Sequence, residues 1–163
     1  MSVRTGAAGP AWTGLRCVRC RGLAPVADDL YVCPECGANT LVEYDLDRVR
    51  RGWSRSALAA DPDPTMWRYL PLLPVRERLE GPPVGGTPLV PAPRLGRELR
   101  LEQPLLLKDD GRNPSASFKC RASAVVLRRA QEIGRTLVTG ASTGNAASAT
   151  AVLAAAPGIR TRI

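Results

Sequence analysis

The chain has 163 residues, a net charge of +8 and no histidine. The missing imidazole excludes Ser-His-Asp and Cys-His catalysis and any His-ligated metal. The length leaves room for one domain, or for a small metal module with part of a larger domain.

Residues 1–14 read as a flexible tail of small residues, without an apolar stretch long enough for a signal peptide or a membrane span. A cytoplasmic product with reduced thiols and no membrane partner is therefore expected. Residues 15–44 carry Cys17-x-x-Cys20 and Cys33-x-x-Cys36 with twelve residues between the pairs. This is the spacing of two knuckles of a zinc ribbon, with Gly22, Pro34 and Gly37 suited to the turns. Two disulfides or two redox pairs are the competing readings. A closed site of four thiolates would make the zinc structural, since it leaves no position open to substrate.

Residues 45–83 hold scattered tryptophans, several prolines and short helical patches at 46–53 and 75–79, the pattern of a linker. A partial catalytic domain of α/β class is expected over 84–163. Its most informative stretch is Lys108 to Arg121, KDDGRNPSASFKCR. Asn113-Pro114-Ser115-Ala116-Ser117 is rich in turn residues. Ser117 is the expected cap of a helix whose apolar positions are Ala122, Val125, Val126, Ala130 and Ile133, stopped by Gly134. Lys119 then falls in the first turn, where the positive end of the helix dipole opposes a protonated ammonium. Only Lys108 and Lys119 are available for covalent lysine chemistry, because arginine stays protonated.

Arg135 to Ala147 reads RTLVTGASTGNAA, a strand at 136–139, a Gly/Ser/Thr/Asn turn and an alanine-rich helix ending near Pro157-Gly158. With a further strand at 159–163 this forms a βαβ unit. Its loop lies at the carboxyl end of a parallel strand, where backbone N–H groups and small hydroxyls receive a carboxylate or phosphate.

Lys108 to Arg121, the later ASTGNAAS and the earlier Gly85-Gly86-Thr87-Pro88-Leu89 together resemble the tryptophan-synthase-β type of pyridoxal-phosphate enzymes (fold type II). Within that group the chain looks most like threonine synthases, some of which carry a cysteine-rich module ahead of the Thr-Pro-Leu segment. The resemblance implies that Lys119 forms the internal aldimine with pyridoxal phosphate and shuttles protons. It also implies that Asn145 hydrogen-bonds the cofactor's phenolic oxygen, that Ser142, Thr143 and Gly144 cradle the substrate carboxylate, and that Lys108 lies near the substrate phosphate. The implied reaction converts O-phosphohomoserine and water to threonine and phosphate, in a homodimer when full length.

The chain departs from the family wording at Ala116, where glycine is usual, and at Cys120, where aspartate is usual. Left-handed backbone at Ala116 would cost about 1 kcal/mol or more. Cys120 can be read as a redox or catalytic nucleophile, but without histidine to activate it a buried or inert cysteine is expected. The family continues past residue 163 with a glycine-rich loop for the cofactor phosphate and a residue facing the pyridine nitrogen. The chain is thus expected to be an amino-terminal portion, inactive by itself. Other enzymes of the same fold, such as a threonine dehydratase or a cysteate-synthase-like protein, share these motifs. A zinc-ribbon module binding nucleic acid is the reading from another class. Scattered arginines and 4% aromatic residues argue against it, and no nucleic-acid partner is expected.

Overall fold

The computed structural model describes residues 10–27 and 30–163. The expected tail at 1–14 lies mostly outside them, and its last residues already belong to a strand. Two compact units emerge. The first takes in the described residues up to Asp63 together with Arg68–Arg78, and the second comprises Pro64–Trp67 and Leu79–Ile163.

In the first unit, β1 (Trp12–Cys17) is the centre of an antiparallel sheet, flanked by β2 (Leu23–Ala24) and β3 (Thr40–Tyr44). Leu15 pairs with both Ala24 and Val42, so both cysteine pairs lie at the same end of β1. Arg16 forks onto Glu43 across the sheet, with Nε to Oε2 at 2.8 Å. Two short helices follow. In α1 (Leu46–Gly52), Asp45 caps by accepting the Arg48 N–H, and the last turn is basic, as the helix dipole favours. In α2 (Arg55–Ala60), the Ser54 hydroxyl accepts from Ala57. Residues 75–79, expected to be helical, form no helix: 75–77 are bends and 78–79 are irregular. Seven residues between Pro74 and Pro82 are too few to repay helix nucleation.

In the second unit, β4 (Leu89–Pro91) and β5 (Leu106–Lys108) pair antiparallel around α3 (Pro93–Glu98), which has proline at its first position. A 3₁₀ turn at Asp110–Arg112 leads to α4 (Lys119–Glu132). Then β6 (Leu137–Thr139), α5 (Asn145–Ala155) and β7 (Arg160–Arg162) make the βαβ unit, with β6 and β7 parallel as the sequence predicts.

The buried face of α4 differs from the expected one. Cys120, Ser123, Ala124, Leu127 and Ala130 are buried, whereas Ala122 and Val126 are exposed. The small residues of this stripe let α5 approach closely, with Ala149, Leu153 and Ala154 buried on its side. The Ser123 and Thr150 hydroxyls share a hydrogen bond of 3.2 Å between the helices. Close backbone approach outweighs side-chain bulk here. No described helix is long and apolar enough to cross a membrane.

Candidate functional site

The loop before α4 is held from several sides. Asn113 is buried, accepts the Gly85 N–H on Oδ1 at 3.0 Å and donates from Nδ2 to the Asp110 carbonyl. Ala116 sits at φ +53°, so the methyl group that replaces the family's usual glycine occupies left-handed backbone. Ser117 lies one residue outside the helix, whose cap position is Phe118. Its hydroxyl accepts the Lys119 N–H at 3.1 Å, a capping contact two residues on. The Cys120 sulfur is fully buried, 3.0 Å from the Ser115 hydroxyl and 3.4 Å from the Ser115 nitrogen. The thiol is thus buried, as expected, and holds the loop.

Lys119 is the first residue of α4 and is exposed, with Nζ 4.8 Å from the Phe118 ring centroid. Asn145 is the first residue of α5 and is also exposed. Helix α4 turns through Gly134 into β6, while α5 leaves β6 and returns to a parallel β7. Both helices therefore run against the strands, and both begin at the carboxyl end of β6. The Ser123–Thr150 contact lies four residues beyond Lys119 and five beyond Asn145, roughly 6–8 Å along each axis. Lys119, Asn145 and the loop of Ser142, Thr143 and Gly144 are thereby brought to one end of the unit.

In that loop the Ser142 hydroxyl accepts the Gly144 N–H at 3.3 Å, and Ser148 donates its backbone N–H to the Gly144 carbonyl. The first turn of α5 leaves backbone N–H groups without intrahelical acceptors, a donor set suited to an anion. An exposed primary amine and an amide at one end fit an aldehyde cofactor, and the donor set beside them fits the carboxylate of its substrate.

Lys108 is placed differently. At the end of β5 it donates to the Thr87 carbonyl and belongs to a second cluster. There Arg121 grips Asp110 with two hydrogen bonds, and the Thr87 hydroxyl donates to Asp110 Oδ1 at 2.6 Å. The Arg121 side chain, then the Thr87 hydroxyl, hold the Asp110 carboxyl well below the usual carboxylate range, outweighing the effect of burial. Sequence reasoning did not single out Thr87, Asp110 or Arg121. All three lie inside the motifs it used, so the signal was present without a reason to choose them.

The four cysteines of the first unit form a second centre. Their sulfurs all lie within 4.8 Å of one another. The nearest contacts run crosswise, Cys17 to Cys36 at 3.5 Å and Cys20 to Cys33 at 3.6 Å, and all four thiols are free. A tetrahedral ion with bonds of about 2.3 Å to sulfur sets its ligands about 3.8 Å apart, so the thiols fit one ion. The Arg19 and Cys20 N–H groups both point at the Cys17 sulfur. Burial opposes ionisation of Cys17, but these N–H groups and the Cys36 thiol bring it down to about 6. The residue after each pair is left-handed, Gly37 at φ +68° and Arg21 at φ +63°. In the first knuckle the strained turn therefore falls on Arg21, not on Gly22.

Residues 81–163 match the family model described as pyridoxal-phosphate dependent enzyme. The threonine synthase of Methanocaldococcus jannaschii is 35% identical over 145 residues, which cover 88% of this chain and 35% of that protein. The threonine synthase of Methanosarcina acetivorans is 32% identical over 145 residues, covering 89% and 35%. That of Synechocystis is 38% identical over 97 residues, covering 56% and 25%. The first two matches reach well ahead of residue 81, into the cysteine-bearing unit. The chain spans about a third of the length of these two relatives. No solved structure matches it. With more than half of the chain matched, and with an exposed lysine, an asparagine and an anion-receptive helix start gathered at one end of the matched unit, the chain belongs to the pyridoxal-phosphate dependent enzymes.

Proposed function

We propose that the protein carrying this chain is a threonine-synthase-like lyase that converts O-phosphohomoserine and water to threonine and phosphate. The observation that carries the reading is the shared origin of α4 and α5, which sets Lys119 and Asn145 at the same end of a βαβ unit. The names of the relatives, and the extent of similarity into the cysteine module, support the choice of substrate. Pyridoxal phosphate, when bound, supplies the electron sink that stabilises negative charge at the substrate's carbon atoms.

Lys119 holds the cofactor and moves protons, for which an exposed amine on a fixed first turn is suited. Asn145 orients the ring through its amide. Ser142, Thr143 and Gly144 bind the substrate carboxylate with hydroxyl and backbone N–H groups. Lys108 is the cation assigned to the substrate phosphate, and reaching it means leaving the Thr87 carbonyl. Cys17, Cys20, Cys33 and Cys36 hold a structural zinc.

The test is to incubate the full-length protein with O-phosphohomoserine and follow threonine and phosphate together. Equal formation of both, abolished by Lys119→Ala, is expected. Absence of threonine, or activity that survives the substitution, would overturn the reading.

A further inference from the structure

The second cluster lies beside the candidate lysine, and apart from Lys108 its members have no role in the chemistry described above. Its members tie three segments together. Gly85 gives its N–H to Asn113, and Thr87 and Asp110 meet through a hydroxyl–carboxylate hydrogen bond. Arg121 then reaches out of α4 to both, with Nη2 3.3 Å from the Thr87 hydroxyl. Thr87 and Asn113 are buried, at 6% and 5% exposure.

Arg121 follows Lys119 by two residues, about 200° around the helix, so it anchors the turn from the side away from the lysine. The need for an anchor is local. The Ser117 hydroxyl and the buried Cys120 thiol hold the inner side of the turn, while the Phe118 cap makes no side-chain bond and the packing residues Ala124, Leu127 and Ala130 start more than one turn further on. The first turn of a helix frays when held only by its interior. Lys119 itself is exposed, so the position of its backbone is set by its neighbours.

We propose that Asp110, Arg121 and Thr87 form a positioning device that fixes where Lys119 meets the cofactor, an inference that rests on the assignment of Lys119 above. Displacement of a reacting group by about 1 Å costs on the order of a hundredfold in rate. The effect belongs to capture of the cofactor rather than to folding.

The test uses the full-length protein stripped of cofactor. Pyridoxal phosphate is added, the visible band of the lysine-bound cofactor is timed, and borohydride reduction followed by peptide mass mapping locates the adduct. In the unsubstituted protein the adduct should map to Lys119. If it does not, the assignment of Lys119 and this inference fall together. Asp110→Asn should slow band formation at least tenfold and shift its maximum, with far-ultraviolet circular dichroism unchanged. Thr87→Val, which removes only one hydroxyl, should slow it at least threefold. It decides the matter alone if Asp110→Asn does not fold. Wild-type capture rates and an unshifted band in the folded variants, with the adduct still on Lys119, would overturn the positioning role.

Discussion

Arg121 holds Asp110 in a fork, Nε to Oδ2 at 3.0 Å and Nη2 to Oδ1 at 2.8 Å. Such a pair is directional as well as charged, and lysine at 121 would keep the charge without the fork. The folded state depresses the Asp110 pKa, so the stabilisation is complete above the unfolded value near 3.9 and is lost as pH falls through the folded value. Melting temperature followed from pH 6 down to pH 2 should therefore fall less steeply for Asp110→Asn than for the natural protein. Parallel curves for the two would show that the fork contributes nothing to acid sensitivity.

Ala116→Gly should stabilise the second unit. Left-handed backbone costs an L-residue about 1–2 kcal/mol, and the greater freedom of glycine in the unfolded chain returns about 0.4–1 of it. A net gain of about 0.5–1 kcal/mol by urea denaturation is expected. A loss would mean that the methyl group makes compensating contacts.

Metal analysis of the protein should find one zinc per chain, released by chelator or by Cys33→Ser. Zinc of this kind contributes on the order of 10 kcal/mol to folding its module. Its removal should therefore abolish amide protection along β1 and β3. Full protection in metal-free protein would make the sulfur cluster a consequence of the fold, not its cause.

Leu127 is completely buried in the face that α4 presents to α5. Leu127→Ala should cost about 2–5 kcal/mol, the range for an aliphatic side chain lost from a packed core. Leu99→Ala, at a side chain 57% exposed, should stay within about 0.5 kcal/mol of the natural protein. Similar losses at the two positions would refute the burial argument.

The parts of the fold written in local pattern were legible. The parallel β6–α5–β7 unit follows from a β-branched run, a glycine-bearing turn and an alanine-rich helix in sequence. The close set of four thiolates follows from two spaced cysteine pairs. The packing face of α4 was not legible, because hydrophobicity points to Val125 and Val126 while close helix approach selects Ser123 and Ala124. Nor was the fork. Asp110 and Arg121 stand eleven residues apart, Thr87 and Arg121 thirty-four, and chain pattern says nothing about side chains that meet only after the segments fold.

Gly85, at φ +85°, has no room for a side chain. A β-carbon there would lie 2.8 Å from the Met66 nitrogen and 2.9 Å from Arg121 Nη1. The Met66 N–H is in turn bonded to the Val84 carbonyl. Residues 64–67 are therefore a detached edge of the second unit, separated from the rest of it by the eleven residues Arg68–Arg78. A polypeptide cut to begin at residue 81, where the family match starts, would lose that edge and leave the Val84 carbonyl without its donor. One that begins ahead of Pro64 keeps both.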